Sequence, residues 1–166
     1  MDEDARVMEC ARLAERLEAH FRAVHEGAMR DVPICNERLD VAATGFRPCG
    51  DWAVGIVVTP WFMNVIAAPF ADAPAVAAAP GTTETLALPT GAVEFLAADL
   101  DGFPRLLMCS LFSPMQDFVD QEAAVATAQA ALDLLLAQPA PPPPPAPQSM
   151  DRRAFFRGAF SREAAS

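Results

Sequence analysis

The residues that could carry out catalysis are few and scattered in this sequence of 166 residues. His20 and His25 are five residues apart, about 140° around a helix, so their rings do not share a helical face. Neither has a partner at metal-ligand spacing, and both are expected at the surface. Asp99 and Asp101 resemble paired catalytic carboxylates, but turn chemistry explains them well. No metal site and no enzyme is therefore expected.

The cysteines provide one candidate for thiol chemistry. None of them belongs to a C-x-x-C pair, which removes the strongest signal for a zinc or thioredoxin-type site. The alternation of Cys109 with Leu107 and Leu111 predicts a buried free thiol on a strand. A thiol-dependent redox or Fe–S-protecting enzyme that uses Cys109 remains the alternative function. The four cysteines are Cys10, Cys35, Cys49 and Cys109.

Charge is distributed unevenly along the chain. Residues 1–140 carry 8 Arg against 20 Asp and Glu, and residues 141–166 carry 4 Arg against 2 acidic residues. An acidic body is a poor partner for nucleic acid and suits a basic peptide instead. The acidic start of the chain has no basic region followed by an apolar run, so no secretory signal is expected and the predicted location is the cytoplasm.

Periodicity predicts an α+β fold, an antiparallel sheet of five or six strands covered by N- and C-terminal helices. The uncharged run 52–71 has the length of a membrane span, but Pro60 and the β-branched residues favour two buried strands. The Asp101-Gly102 pair between two apolar runs predicts a hairpin. The predicted helices cover 4–29 and 114–137, and the predicted strands cover 39–42, 52–59, 61–68, 83–88, 92–100 and 103–112.

The C-terminal helix is expected to begin with a capping box, in which Ser113 caps the first turn and Gln116 bonds back. Pro114 fits the first helical position. A stripe of small and apolar side chains would then face the sheet. Its members are Val119, Ala123, Ala126, Ala130 and Leu134.

Three parts of the chain differ in composition. Residues 1–138 form the predicted domain, 139–148 form a proline-rich linker and 149–166 form a basic tail. Residues 139–147 contain seven prolines, which predicts a polyproline II spacer that reaches roughly 28 Å. The tail resembles the core of a twin-arginine export motif, although such motifs lie at the N-terminus of exported proteins. The motif residues are Arg152, Arg153, Phe155, Phe156 and Arg157.

Several sequence blocks resemble the HybE/HupJ family of [NiFe]-hydrogenase assembly chaperones. The most specific block runs from Cys109 to Met115, and the tail motif also resembles the C-terminal end of the family. The other blocks, in chain order, are Gly50-Asp51-Trp52, Val57 to Met63, Leu88-Pro89-x-Gly91, Glu94-Phe95 and Leu100-Asp101-Gly102.

The resemblance implies a non-catalytic chaperone. Such a protein would assist maturation of the hydrogenase small subunit, binding it or its twin-arginine signal and holding back export until assembly is complete. It also implies a two-layer α/β fold like that of secretion chaperones, and other maturation factors are further expected partners. Some relatives carry a fused rubredoxin domain, whereas this chain lacks the C-x-x-C pairs of such a domain, so no cofactor is expected.

A peptide-binding groove is the hypothesis that follows. Its apolar edge would consist of Trp61, Met63, Phe95 and Met115, because Met and aromatic surfaces adapt to varied sequences. Glu94, Asp117 or Asp120 would pair with the two arginines of the bound signal. The tail either touches its own acidic domain or imitates the signal peptide that this groove would bind. Two further alternatives remain: the four apolar residues are core residues, or the chain is an adaptor whose tail docks onto another maturation factor without imitating the signal.

Overall fold

Helix α1 spans Glu3–Glu26, close to the predicted 4–29. The Asp2 carboxylate caps its first turn by accepting a hydrogen bond from the Ala5 N–H at 2.8 Å, which satisfies a free N-terminal donor. The helix ends before the predicted 27–29, where Ala28 is exposed. The buried side chains of α1 are Cys10, Leu13, Leu17 and Phe21.

Six strands form one sheet in the computed structural model, which describes residues 1–138. The strand order is β1-β2-β3-β6-β5-β4, and all neighbours are antiparallel. The predicted fold class is therefore confirmed. The strands are β1 Ala42–Cys49, β2 Trp52–Val58, β3 Met63–Pro69, β4 Thr83–Leu88, β5 Gly91–Ala98 and β6 Leu106–Phe112.

The two helices lie on opposite faces of this sheet. Val57, Ile66 and Leu106 pack into one hydrophobic core with α1. Their sequence neighbours, such as Ile56, pack into a second core with helix α2 (Gln121–Leu136). Successive strand side chains point to opposite faces, so the sheet is the middle layer.

The run 52–71 forms the buried strands β2 and β3, and no helix within residues 1–138 is long and apolar enough to cross a membrane.

The Asp101-Gly102 hairpin is confirmed, because β5 and β6 pair antiparallel on either side of it. Gly102 has φ +84°, a conformation that glycine adopts without steric cost. Asp99 precedes this turn and accepts hydrogen bonds from Arg105 Nε at 2.8 Å and Nη2 at 3.3 Å. These hydrogen bonds lower the pKa of the Asp99 carboxyl. The pair anchors the loop that joins the two strands.

Strand β1 was predicted at 39–42 but occupies Ala42–Cys49. The prediction failed because this segment contains Gly45 and Pro48, which break a strand pattern. An edge strand tolerates both, and β1 is at an edge of the sheet with a bulge between Thr44 and Arg47. Leu39 and Val41 are buried just before the strand begins.

Helix α2 begins at Gln121, seven residues after the predicted start, so the capping box of Ser113 and Gln116 is wrong. Asp120 is the cap, and its carboxylate accepts from the Ala123 N–H at 2.8 Å. Gln116 instead donates to the Ile34 carbonyl at 2.6 Å, which holds the preceding segment in a non-helical path.

The predicted sheet-facing stripe of α2 is also wrong. Leu134 is 72% exposed and Val119, which precedes the helix, is 65% exposed. The side chains that reach the core are Ala124, Ala128 and Leu132. Alanines occur on several faces of this helix, so they do not identify which face is buried, and the single fully buried leucine decides it.

We expect Gly55→Ala to destabilise the domain. A Cβ at Gly55 would overlap the ring of Phe46 from the adjoining edge strand, and overpacking of this kind costs about 1–3 kcal/mol. Urea unfolding measures the change. In a Phe46→Ala background the same substitution should cost much less, since the overlapping ring is gone. An equal cost in both backgrounds would show that another contact is responsible.

Candidate binding surface

One half of the sheet is left uncovered on the α1 side. Helix α1 packs against β1 and β2, whereas the side chains of β4, β5 and β6 on that side are mostly exposed. We call this surface the open face. Residues that lie opposite each other on neighbouring strands share a face of the sheet. Leu96 of β5 lies opposite Thr83 of β4 and Met108 of β6, and Glu94 lies opposite Thr85. The open face consists of Thr83, Thr85, Glu94, Leu96, Met108 and Ser110.

The open face combines an apolar row with a polar row. Leu96 is 46% exposed and lies opposite the half-buried Met108 on β6. Glu94 lies two residues before Leu96 on the same face of β5, where its side chain is exposed and pairs in register with Thr85 of β4. Such a surface can receive an aromatic or aliphatic side chain beside a cationic one.

A buried amide forms the inner rim of the open face. Asn64 on β3 lies opposite Ser110 of β6 and is only 8% exposed. Its Oδ1 atom has no hydrogen-bond partner among the described residues. A buried unsatisfied acceptor is rare and costly, and because this oxygen is closed to solvent, a donor on the open face would reach it only after a neighbouring side chain moves.

Of the four apolar residues predicted to edge a groove, three are fully buried. Met63, Phe95 and Met115 lie in the core on the α2 side of the sheet. Trp61 is half-buried on the α1 side, 5.6 Å from the Phe62 ring and 5.9 Å from the His25 ring. The four residues therefore do not share one groove, and the alternative of core packing describes three of them.

The three predicted carboxylates are exposed but lie on different elements. Glu94 is on the open face. Asp117 is in the segment before α2, and Asp120 caps that helix through the Ala123 N–H. Glu94 is thus the predicted carboxylate that adjoins exposed apolar side chains of the open face.

The cysteines have the properties of structural thiols. Cys109 is half-buried beside the core on the α2 side, and burial raises its pKa. Cys10 has its pKa raised to about 11, first by burial and then by Glu9. A raised pKa keeps a thiol protonated and weakly nucleophilic at neutral pH. All four cysteines are free, and no cluster of three potential metal ligands occurs within residues 1–138.

The histidines contact aromatic rings rather than being fully exposed. The His20 ring is 5.6 Å from that of Phe103, and His25 adjoins Trp61. Both are half-buried.

The predicted tail motif lies outside the described residues 1–138. Its members are Arg152, Arg153, Phe155, Phe156 and Arg157.

Sequence reasoning missed the apolar members of the open face. Leu96 follows the buried Phe95, and strict alternation on a one-sided sheet would place a polar residue there. The available signal in the sequence was Leu96 itself, an apolar residue two positions after Glu94 and therefore on the same face of the strand. Asn64 gave no such signal, because a lone amide within an apolar strand also occurs where it is fully hydrogen-bonded.

Residues 12–158 match the family described as "[NiFe]-hydrogenase assembly, chaperone, HybE". The chain belongs to this family of assembly chaperones. The match extends through the linker and includes the tail motif as far as Arg157.

Curated relatives and a solved structure agree with this assignment. The chain is 43% identical over 150 residues to the hydrogenase expression/formation protein HupJ of Bradyrhizobium diazoefficiens, with 87% of each protein covered. It is 40% identical over 147 residues to the HoxT protein of Azotobacter vinelandii, covering 87% of this chain and 94% of that protein. The solution structure of HybE from Escherichia coli shares the fold, with a TM-score of 0.63 at 24% identity over 84% of this chain and 85% of that one.

Proposed function

We propose that this chain is a non-catalytic chaperone of [NiFe]-hydrogenase maturation that acts in the cytoplasm. Its client would be the hydrogenase small subunit, bound directly or through a twin-arginine signal peptide, and binding would hold back export until assembly is complete. The observation that carries this proposal is the family match over residues 12–158.

The electrostatics of the domain support a basic peptide client. Residues 1–138 contain 8 Arg and 20 acidic residues, which favours encounter with a positively charged segment. A twin-arginine signal would then offer a guanidinium group to Glu94, and its apolar part would contact Leu96 and Met108. Arg pairs with carboxylates through two parallel hydrogen bonds, which gives directional recognition.

Co-purification tests the proposal. A tagged full-length chain, expressed with an exported [NiFe]-hydrogenase, is expected to retain the small subunit with its signal peptide still attached, as mass spectrometry would show. The variant Glu94→Gln/Leu96→Ser, which changes the open face, should retain less of the small subunit than the wild type. Recovery of the large subunit alone, or of no hydrogenase subunit, would contradict the proposal.

We expect Cys109→Ser to leave hydrogenase maturation unchanged. The thiol is half-buried with a raised pKa, so no chemistry depends on it in this account. The measurement is hydrogenase activity in cells that carry the variant as their sole copy. Loss of maturation with a normally folded variant would support the alternative of a thiol-dependent redox or Fe–S-protecting factor instead.

A further inference from the structure

We infer that the open face is the docking surface for the tail of this same chain, residues 149–157. The inference concerns an intramolecular contact and does not depend on the identity of the client. It rests on the exit point of the chain, on spacing and on the chemistry of the two partners.

The chain leaves the described domain at the end of α2, on the side of the sheet opposite the open face and beside the turn between β4 and β5. The Thr90 hydroxyl, in the turn between β4 and β5, donates to the Leu135 carbonyl at 3.0 Å. This bond places the end of α2 beside the start of β5. From Gly91 to Leu96 is about 17 Å along the strand, and the tail must also pass from the α2 side of the sheet to the α1 side. As an extended polyproline II chain, residues 139–147 would cover roughly 28 Å, and residues 148–151 would add further length before the first arginine.

The spacing of the tail motif matches that of strand β5. Glu94 and Leu96 are two residues apart on one face, and same-face neighbours on an extended chain are about 7 Å apart. Arg153 and Phe155 are also two residues apart. An extended tail can therefore place Arg153 over Glu94 while Phe155 contacts Leu96 and Met108.

The chemistry of the two partners is complementary. Guanidinium is a donor without acceptors, and the polar row offers the exposed Glu94 carboxylate as its acceptor. The tail carries 4 Arg against 2 acidic residues, opposite a domain with a large acidic excess. Tail docking would give the Glu94 carboxylate a cationic partner and cover the exposed Leu96.

Nuclear magnetic resonance of the full-length chain tests the inference. In the wild type, backbone resonances of Arg153 to Phe156 should differ from random-coil values. The variant Glu94→Gln/Leu96→Ser should lower the ratio of docked to free tail by about tenfold, as expected for a lost charge-assisted contact. Arg152→Gln/Arg153→Gln should in turn shift the amides of Thr85, Glu94 and Ser110.

The control is Glu122→Gln/Leu134→Ser, which makes the same two changes on the exposed side of α2 and should leave the tail resonances unchanged. Three results would overturn the inference. The first is random-coil tail resonances in the wild type, and the second is an equal change of the tail resonances in Glu94→Gln/Leu96→Ser and in Glu122→Gln/Leu134→Ser. The third is docking that weakens on dilution, which would indicate that the tail of a second copy is bound.

Discussion

Deletion of residues 149–166 is expected to raise the affinity for the signal peptide of the small subunit by roughly tenfold or more. The reason is competition, because a tethered tail is present at an effective concentration of order mM. If the free tail binds the open face with a Kd of about 100 μM, the intact chain is about tenfold inhibited. Isothermal titration with a synthetic signal peptide measures the change.

A matched substitution separates competition from other effects of the deletion. Arg152→Lys/Arg153→Lys keeps the charge of the tail but removes the bidentate guanidinium geometry. It should release part of the inhibition, with an affinity between those of the intact and the truncated chain. Equal affinity of all three proteins for the peptide would rule out competition by the tail.

The largest loss of stability is expected for Asn36→Ala. The buried Asn36 amide donates to the Met115 and Phe118 carbonyls, both at 2.9 Å, and its Oδ1 accepts from the Arg38 N–H at 3.1 Å. Removing it leaves two carbonyls of the segment before α2 without this donor, at a penalty of about 1–3 kcal/mol for each buried group. Urea unfolding should show a loss of roughly 2–4 kcal/mol.

Gln116→Ala is the matched control for this prediction. Its amide also joins the same segment to the loop after α1, through the Ile34 carbonyl, but that bond is exposed. Water can replace an exposed partner, so the loss should stay within about 0.5 kcal/mol. Similar losses of unfolding free energy for Asn36→Ala and Gln116→Ala would mean that the buried hydrogen bonds of Asn36 stabilise the fold no more than the exposed one of Gln116.

The sequence predicted the parts of the fold that depend on local pattern. The hairpin at Asp101-Gly102 and the paired strands β2 and β3 follow from turn chemistry and apolar runs, and both are confirmed. The start of α2 does not depend on such local signals. Ser113 and Gln116 form a plausible capping box, but the Asn36 side chain, 79 residues before Met115, holds that segment in another path.

The site was less predictable than the fold. Apolar residue type does not distinguish a core residue from one on an exposed groove, and the choice of Met63, Phe95 and Met115 failed for this reason. Only strand order and helix placement show which side of β5 is covered. Glu94 lies on the uncovered side, so it stays a candidate contact, together with Leu96 and Met108, which sequence reasoning did not select.

Recognition of the small subunit before export is tested most directly by comparing the affinities of the chain for two forms of that subunit. The full-length chain is titrated with the precursor, which carries the signal peptide, and with the mature form, which lacks it. Tighter binding of the precursor by about tenfold or more is expected, and this difference should disappear when the signal arginines are replaced by glutamine. Equal affinity for both forms would contradict signal recognition, and absence of binding to either would contradict the chaperone function itself.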